Sequence, residues 1–315
     1  MGKFLAKKTD NKKSKLNNKR KQAKKTDNKK TNLKKDIKPK STKKIIFLIL
    51  TIIVIICIAV FVWFSLRPEV IKAQLVIESG TVQVKHMGET WVSAENGMLL
   101  YQSDSVRTGN NSSATIIFFK TSLVRLDSNT EVTLEKLFRE EETSITIQQD
   151  SGRTWNSVYK ISGIDNYEIQ TPTTVASVRG TAFVVIVWEN YSTYYGVSHG
   201  ILNVTSISNN VIQDSIDVSG DESVFVFIDM INESLEIVPF EMDEWVIENL
   251  LKDQQFVDDL KAELYSRIND YIIEIQAEFN ISDDEIDALL EGYILGYIEL
   301  PNDTPEWIKE LFEFS

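Results

Sequence analysis

Few side chains here are of the types that carry out reactions, and their spacing says little chemistry is intended. His86 and His199 are far apart and have no Cys or carboxylate at ligand spacing, so their imidazoles read as solvated or locally bonded. The chain contains no G-x-S-x-G, no H-E-x-x-H and no G-x-x-x-x-G-K-[ST]. Glu140-Glu141-Glu142 reads as a solvated loop between strands. No catalytic residue, cofactor or metal ligand is expected, and the chain reads as a non-enzyme.

Two arginines are more informative. Arg107 lies in Val106-Arg107-Thr108-Gly109, and Arg179 in Val178-Arg179-Gly180-Thr181. A guanidinium is a rigid five-donor fork. At the end of a strand it either clamps turn carbonyls or holds an anionic ligand, and both readings stand. Gly109 is expected at positive φ after a strand, and Gly180 where another backbone approaches closely. Asp104 and Asp127 are the candidate carboxylate partners.

The elements that must position these residues are mostly strands. From Ala73 to Val238 short apolar or alternating runs recur, among them Thr81–Lys85, Ala114–Phe119, Leu123–Leu126, Ser144–Gln148 and Ala182–Trp188. Turn residues punctuate them, including Thr108-Gly109-Asn110, Ser151-Gly152 and Ser198-His199-Gly200. After Pro239 the period changes. Phe256, Leu260, Leu264, Ile268, Tyr271, Ile275 and Phe279 form the stripe of an amphipathic helix. Ser282-Asp283-Asp284-Glu285 predicts a capping box, and Thr304-Pro305 an N-cap and first-turn proline before Glu306–Phe314.

Ahead of the strands lies Ile45–Leu66, 22 residues without a charge. As a helix it would reach about 33 Å, enough for a hydrocarbon core of about 30 Å. Residues 1–44 carry 19 Lys and Arg against three Asp, and everything after the apolar run is net −28. Lys43 and Lys44 abut the run, which places the N-terminus in the cytoplasm and the bulk of the chain outside. A retained signal anchor is expected, since Ser65-Leu66-Arg67-Pro68-Glu69 offers no small-x-small cleavage site. Residues 1–44 read as a disordered tail, either a solvated topogenic segment or one that adheres to anionic lipid, with nucleic acid not expected as a partner. The only cysteine, Cys57, lies in the apolar run, so no disulfide can form beyond it.

Between Gly80 and Gly200 the chain resembles the FecR domain. The resemblance rests on Gly80-Thr81-Val82-Gln83-Val84, Trp91, Asp104, Val106-Arg107-Thr108-Gly109, Gly152-Arg153-Thr154-Trp155 and Val178-Arg179-Gly180-Thr181-Ala182-Phe183 in that order. It covers roughly residues 73–228. It implies an all-β, twisted solenoid-like domain outside the cytoplasmic membrane. Its signature residues here are Asp104, Arg107, Thr108, Gly109, Arg179, Gly180, Thr181 and Phe183.

The better-known relatives relay an envelope signal to a sigma factor. This chain departs from them at both ends, with a Lys tail before the span and acidic helices after the strands. The organisation read from the sequence is a tail over 1–44, a span over 45–66, a linker over 67–72, a β domain over 73–238 that folds alone, and an acidic helical region over 239–315. The expected function is a membrane-anchored, extracytoplasmic module that binds an envelope protein or glycan and senses or transmits. The alternative is an envelope scaffold assembled through the acidic helices.

Overall fold

The computed structural model describes residues 72–139, 142–178, 180–208, 211–228, 234–280, 282–301 and 304–312, with a few positions between 52 and 58. Residues 68–315 form one compact unit, distinct from residues 1–67. The expected span lies mostly outside the described residues. Ile52, Ile53, Ile55, Ile56 and Ile58 within it are helical and exposed. Among the described residues no helix is long and apolar enough to cross a membrane.

The compact unit is mainly β, with a C-terminal helical region. Its strands are β1 (Ala73–Ser79), β2 (Val82–Lys85), β3 (Val92–Ser93), β4 (Leu99–Leu100), β5 (Ser105–Thr108), β6 (Ser113–Phe118), β7 (Ser122–Leu126) and β8 (Glu131–Arg139). The long β9 (Thr143–Val158) follows, then β10 (Asn166–Gln170), β11 (Thr174–Val178), β12 (Thr181–Val187), β13 (Thr193–His199), β14 (Ile201–Ser208), β15 (Val211–Ser219), β16 (Glu222–Val226) and β17 (Ile237–Pro239).

Two sheets result. Sheet A runs β1-β6-β7-β9-β12-β13-β16-β17, with β4 also on β1. Sheet B runs β3-β2-β5-β8-β9-β10-β11-β14-β15. From β5 onward each sheet adds strands in chain order, because the chain passes back and forth between them. Neighbours are antiparallel except β9 and β10, which are parallel.

Strand β9 belongs to both sheets, its first half to B and its second to A. The expected turn at Ser151-Gly152 is instead the point where this strand crosses over. Gly152 sits at φ 88°, and a Cβ there would lie 2.4 Å from the Thr130 Cα. The ladder to β8 slips at the same place, between Glu131 and Val132. Only glycine allows the strand to bend there without breaking.

Period-two alternation sorts the side chains by face. Leu75, Ile116, Val124, Phe183, Val185 and Tyr195 of sheet A meet Val84, Val106, Ile147, Ile169 and Val204 of sheet B in the main core. The other face of sheet B is polar and open to solvent, the usual economy of an antiparallel sheet. Sheet A is apolar on its second face as well. Trp155, Ala182 and Val184 pack there against Val246, with Phe240, Met242, Trp245 and Leu250 around them.

What covers that face is helix α1 (Glu244–Ile268), opened by Asp243, whose side chain accepts from the Val246 N–H. A 3-10 turn at Asn269–Tyr271 separates it from α2 (Ile272–Phe279), so the expected continuous stripe is broken at Tyr271, which is exposed. Helix α3 (Asp283–Leu295) starts with the expected capping box of Ser282 and Glu285, and α4 (Glu306–Phe312) follows Pro305. Val257, Leu260, Leu264, Ile268, Ile275, Ile286, Leu290 and Ile308 form the helical core, and Tyr159 at the end of β9 is buried in it. The boundary expected at Pro239 therefore marks a change of secondary structure within one compact unit.

Candidate functional site

Seven of the eight signature residues lie among the described residues. Asp104 is buried at the start of β5, where its Oδ2 accepts from the Tyr101 N–H at 2.9 Å and meets His86 Nδ1 at 2.8 Å. Arg107 lies on the solvent face of sheet B. Its Nε donates to Gln83 Oε1 at 2.9 Å, and the guanidinium stacks 4.2 Å from the Trp91 ring, with Lys85 Nζ 4.9 Å from the same ring. This corrects the expectation of a clamp on turn carbonyls. The fork is held by a cross-strand amide and an indole face. Asp127 bonds the Ser128 N–H at 2.7 Å instead of an arginine.

Thr108 is the residue that ties the turn. Its Oγ1 donates to Asp127 O at 2.5 Å and accepts from the Thr130 N–H at 3.0 Å. Gly109 is not at positive φ, and a Cβ there would make only ordinary contacts at 3.5 Å. Gly180 is at φ 68° with open space around it, so conformation and not close approach selects it. The close approach is at Gly200, where a Cβ would lie 2.5 Å from Gly180 O. Thr181 is buried and donates to Ile201 O at 3.1 Å, while Phe183 is in the main core. Arg179 lies outside the described residues.

The buried arginine is one that pattern reading passed over. Arg125 projects from β7 onto the second face of sheet A and is closed over by α1. Its Nη1 pairs with Asp253 Oδ1 and reaches Asn249 O at 3.5 Å. Asp253 Oδ2 accepts from Trp155 Nε1 at 2.8 Å and from Ser157 Oγ at 2.5 Å. Arg125 sits opposite Trp155 in the β7–β9 register, so one carboxylate serves a cross-strand pair. The signal that could have located it is Arg125 and Asp253 each taking an apolar position in its own element.

Polar contacts edge this joint. Arg153 bonds Asp243 at 2.8 Å and stacks 4.2 Å from the Trp245 ring. The Arg153 bond is the largest influence on the Asp243 carboxyl and, against partial burial, holds it below its ordinary value. Burial would raise Glu78, but hydrogen bonds from Thr115 and Lys252 outweigh it and leave this carboxyl lowered. Burial also pushes the Tyr159 phenol well up. His199 is pushed down by burial, partly opposed by the charge of Asp253.

Beyond the helix, sheet A is open. Gly196 on β13 has no side chain because the Phe240 ring occupies the space, and a Cβ there would fall 2.2 Å from that ring. From Phe240 a file of aromatics leads outward. Tyr194 is 6.5 Å from Phe240 and 4.5 Å from Phe225. Phe225 has Trp188 at 6.0 Å and Phe227 at 6.2 Å, with ring planes within 10° and 9° of parallel. Trp188, Phe225 and Phe227 are 40%, 41% and 55% exposed, and together with Glu189, Asn190 and Ser192 they line a shallow hollow. Among the described residues no group of His, Cys, Asp and Glu is arranged to hold a metal ion.

No curated protein matches the chain. Two solved structures, each described as a candidate anti-sigma factor from Parabacteroides distasonis ATCC 8503, are similar to part of it. The first is 14% identical with a TM-score of 0.36, covering 47% of this chain and 64% of its own. The second is 13% identical with a TM-score of 0.36, covering 50% and 72%. The chain thus spans just under two thirds of the first. A family model described as FecR protein matches residues 104–202, the stretch from the buried Asp104 through the crossover strand β9 to β14. The chain carries a FecR domain.

Proposed function

We propose that this protein is a single-pass envelope protein whose FecR domain faces outward and senses its surroundings by binding a protein or glycan, without catalysing a reaction. The observation that supports binding is the open aromatic file Trp188–Phe225–Phe227, at and just beyond the FecR-matched segment. Contiguous exposed aromatics rimmed by polar groups are a mark of interaction surfaces. The uncharged run Ile45–Leu66 and the change of charge across it support the anchor and its orientation. The Lys-rich tail then lies against the anionic inner leaflet.

Crosslinking on intact cells tests this reading. Trp188→Ser with Phe225→Ser should keep the melting temperature and lose the crosslinked partner. Undiminished capture by that variant would contradict the surface. Protease added from outside should digest the residues beyond Arg67 and spare the Lys tail. A protected C-terminus would contradict the orientation.

A further inference from the structure

A second concavity lies away from the aromatic file, where α1 meets the turns that follow β5 and β7. It encloses about 290 Å³, the small end of the range for ligand cavities. One wall is the FecR turn at Asn111, Ser112 and Ser113 with Asp127 and Ser128, and the other is the flank of α1 at Trp245, Glu248 and Lys252. We infer that this cleft is a binding site for a net-neutral, hydroxyl-rich ligand the size of a single sugar unit.

Lys252 is bonded to both Glu78 and Glu248, at 3.1 and 3.0 Å, and Arg125 at the floor is paired with Asp253. The cations are taken, so an anion finds no free opposite charge. Two of the three lining carboxylates are taken as well, and no metal-holding group is present among the described residues. What remains open is neutral or singly polar. The Asn111 side-chain amide has no partner, and Asp127 uses Oδ1 for the Ser128 N–H while Oδ2 has none among the described residues. Ser79 and Ser113 present a hydroxyl pair 2.9 Å apart.

A carboxylate oxygen only accepts, whereas an amide and hydroxyls donate and accept. Vicinal hydroxyls on a ring satisfy that set, and the Trp245 side chain, one face of which Arg153 covers, lines the cleft beside them. The position is also apt, since the cleft exists only because α1 is seated beside the FecR turns.

The test uses the full chain in a detergent without sugar headgroups, with glucose and an N-acetylglucosamine tetramer as probes, read by saturation-transfer NMR. At least one probe should bind saturably. Asp127→Asn keeps the Oδ1 acceptor of the turn but removes the charge, and should weaken binding about tenfold or more. Asn111→Gly suits the φ of 49° at this position and removes the amide, and should weaken binding in the same direction. Melting curves identify a variant that fails to fold, in which case the other carries the result. No saturable binding at millimolar concentration would overturn the assignment. Binding that survives both cleft variants but is lost in Trp188→Ala would place the sugar on the aromatic file and overturn the cleft.

Discussion

Asp253 of α1 closes on Arg125 of β7 across 128 residues of sequence, and both side chains are about nine-tenths buried. A buried ion pair adds little net stability, because desolvation offsets the attraction, but removing one partner strands the other. Its role is to fix which part of the helix sits on which strand. Trp155 and Ser157 complete the carboxylate's bonding and make the seat specific. Asp253→Ala should lower stability by roughly 3–5 kcal/mol in denaturant unfolding. Arg125→Met combined with Asp253→Leu should lose much less than the sum of the single changes.

Gly109, a signature residue, and Gly200, which is not one, give a sharp contrast. Gly109→Ala should be close to neutral, since φ is ordinary and nothing is crowded. Gly200→Ala should cost about 1–3 kcal/mol or more, because a Cβ at φ 86° would meet the backbone of Gly180 and Thr181, which cannot swing away. Thermal melts of the two variants decide the point. Equal losses would contradict it.

Much of the fold was legible because its signals are local. Short apolar or alternating runs marked β2, β6, β7 and β12, and Ser282 with Glu285 marked the start of α3 to the residue. The crossover in β9 was not legible. Ser151-Gly152 is turn chemistry, and it takes pairing with β8 on one side and with β12 on the other to keep the chain extended there. The acidic helices were found, but their seat was not. An aspartate in a polar-looking stretch reads as solvated until Arg125 and Trp155 are brought above it. Of the signature, the sequence marked Thr108 and Thr181 without their corner bonds and assigned the arginine role to Arg107 and Arg179; Arg107 stacks on Trp91 at the surface, and Arg179 lies outside the described residues.

Acid should loosen the joint. Asp243 and Glu78 are both held below their ordinary values of 3.8 and 4.5. A lowered carboxyl contributes stability above its unfolded value, and that contribution is lost as pH falls through the folded value. Melting temperature should therefore be flat near neutrality and fall below about pH 4.5. Glu78→Gln should flatten part of that fall. An acid limb unchanged in Glu78→Gln with Asp243→Asn would show that other groups govern it.

The overpacked contact at Gly196 offers a check on the second face of sheet A. Gly196→Ala should displace the Phe240 ring and destabilise by roughly 1–3 kcal/mol. Phe240→Ala in the same background should recover part of that loss, which a double-mutant cycle would measure.

The packing of α1 on sheet A implies that the acidic helices complete the FecR-type sheet and do not form a separate domain. Urea unfolding of residues 68–315 and of residues 68–238, followed through tryptophan fluorescence and circular dichroism, tests it directly. The longer chain should unfold in one cooperative step by both probes, with Trp155 shielded until that step. The shorter one, with Trp155 and Arg125 uncovered, should show a broad transition or none. A cooperative transition of residues 68–238 at the same midpoint as the longer chain would contradict the account.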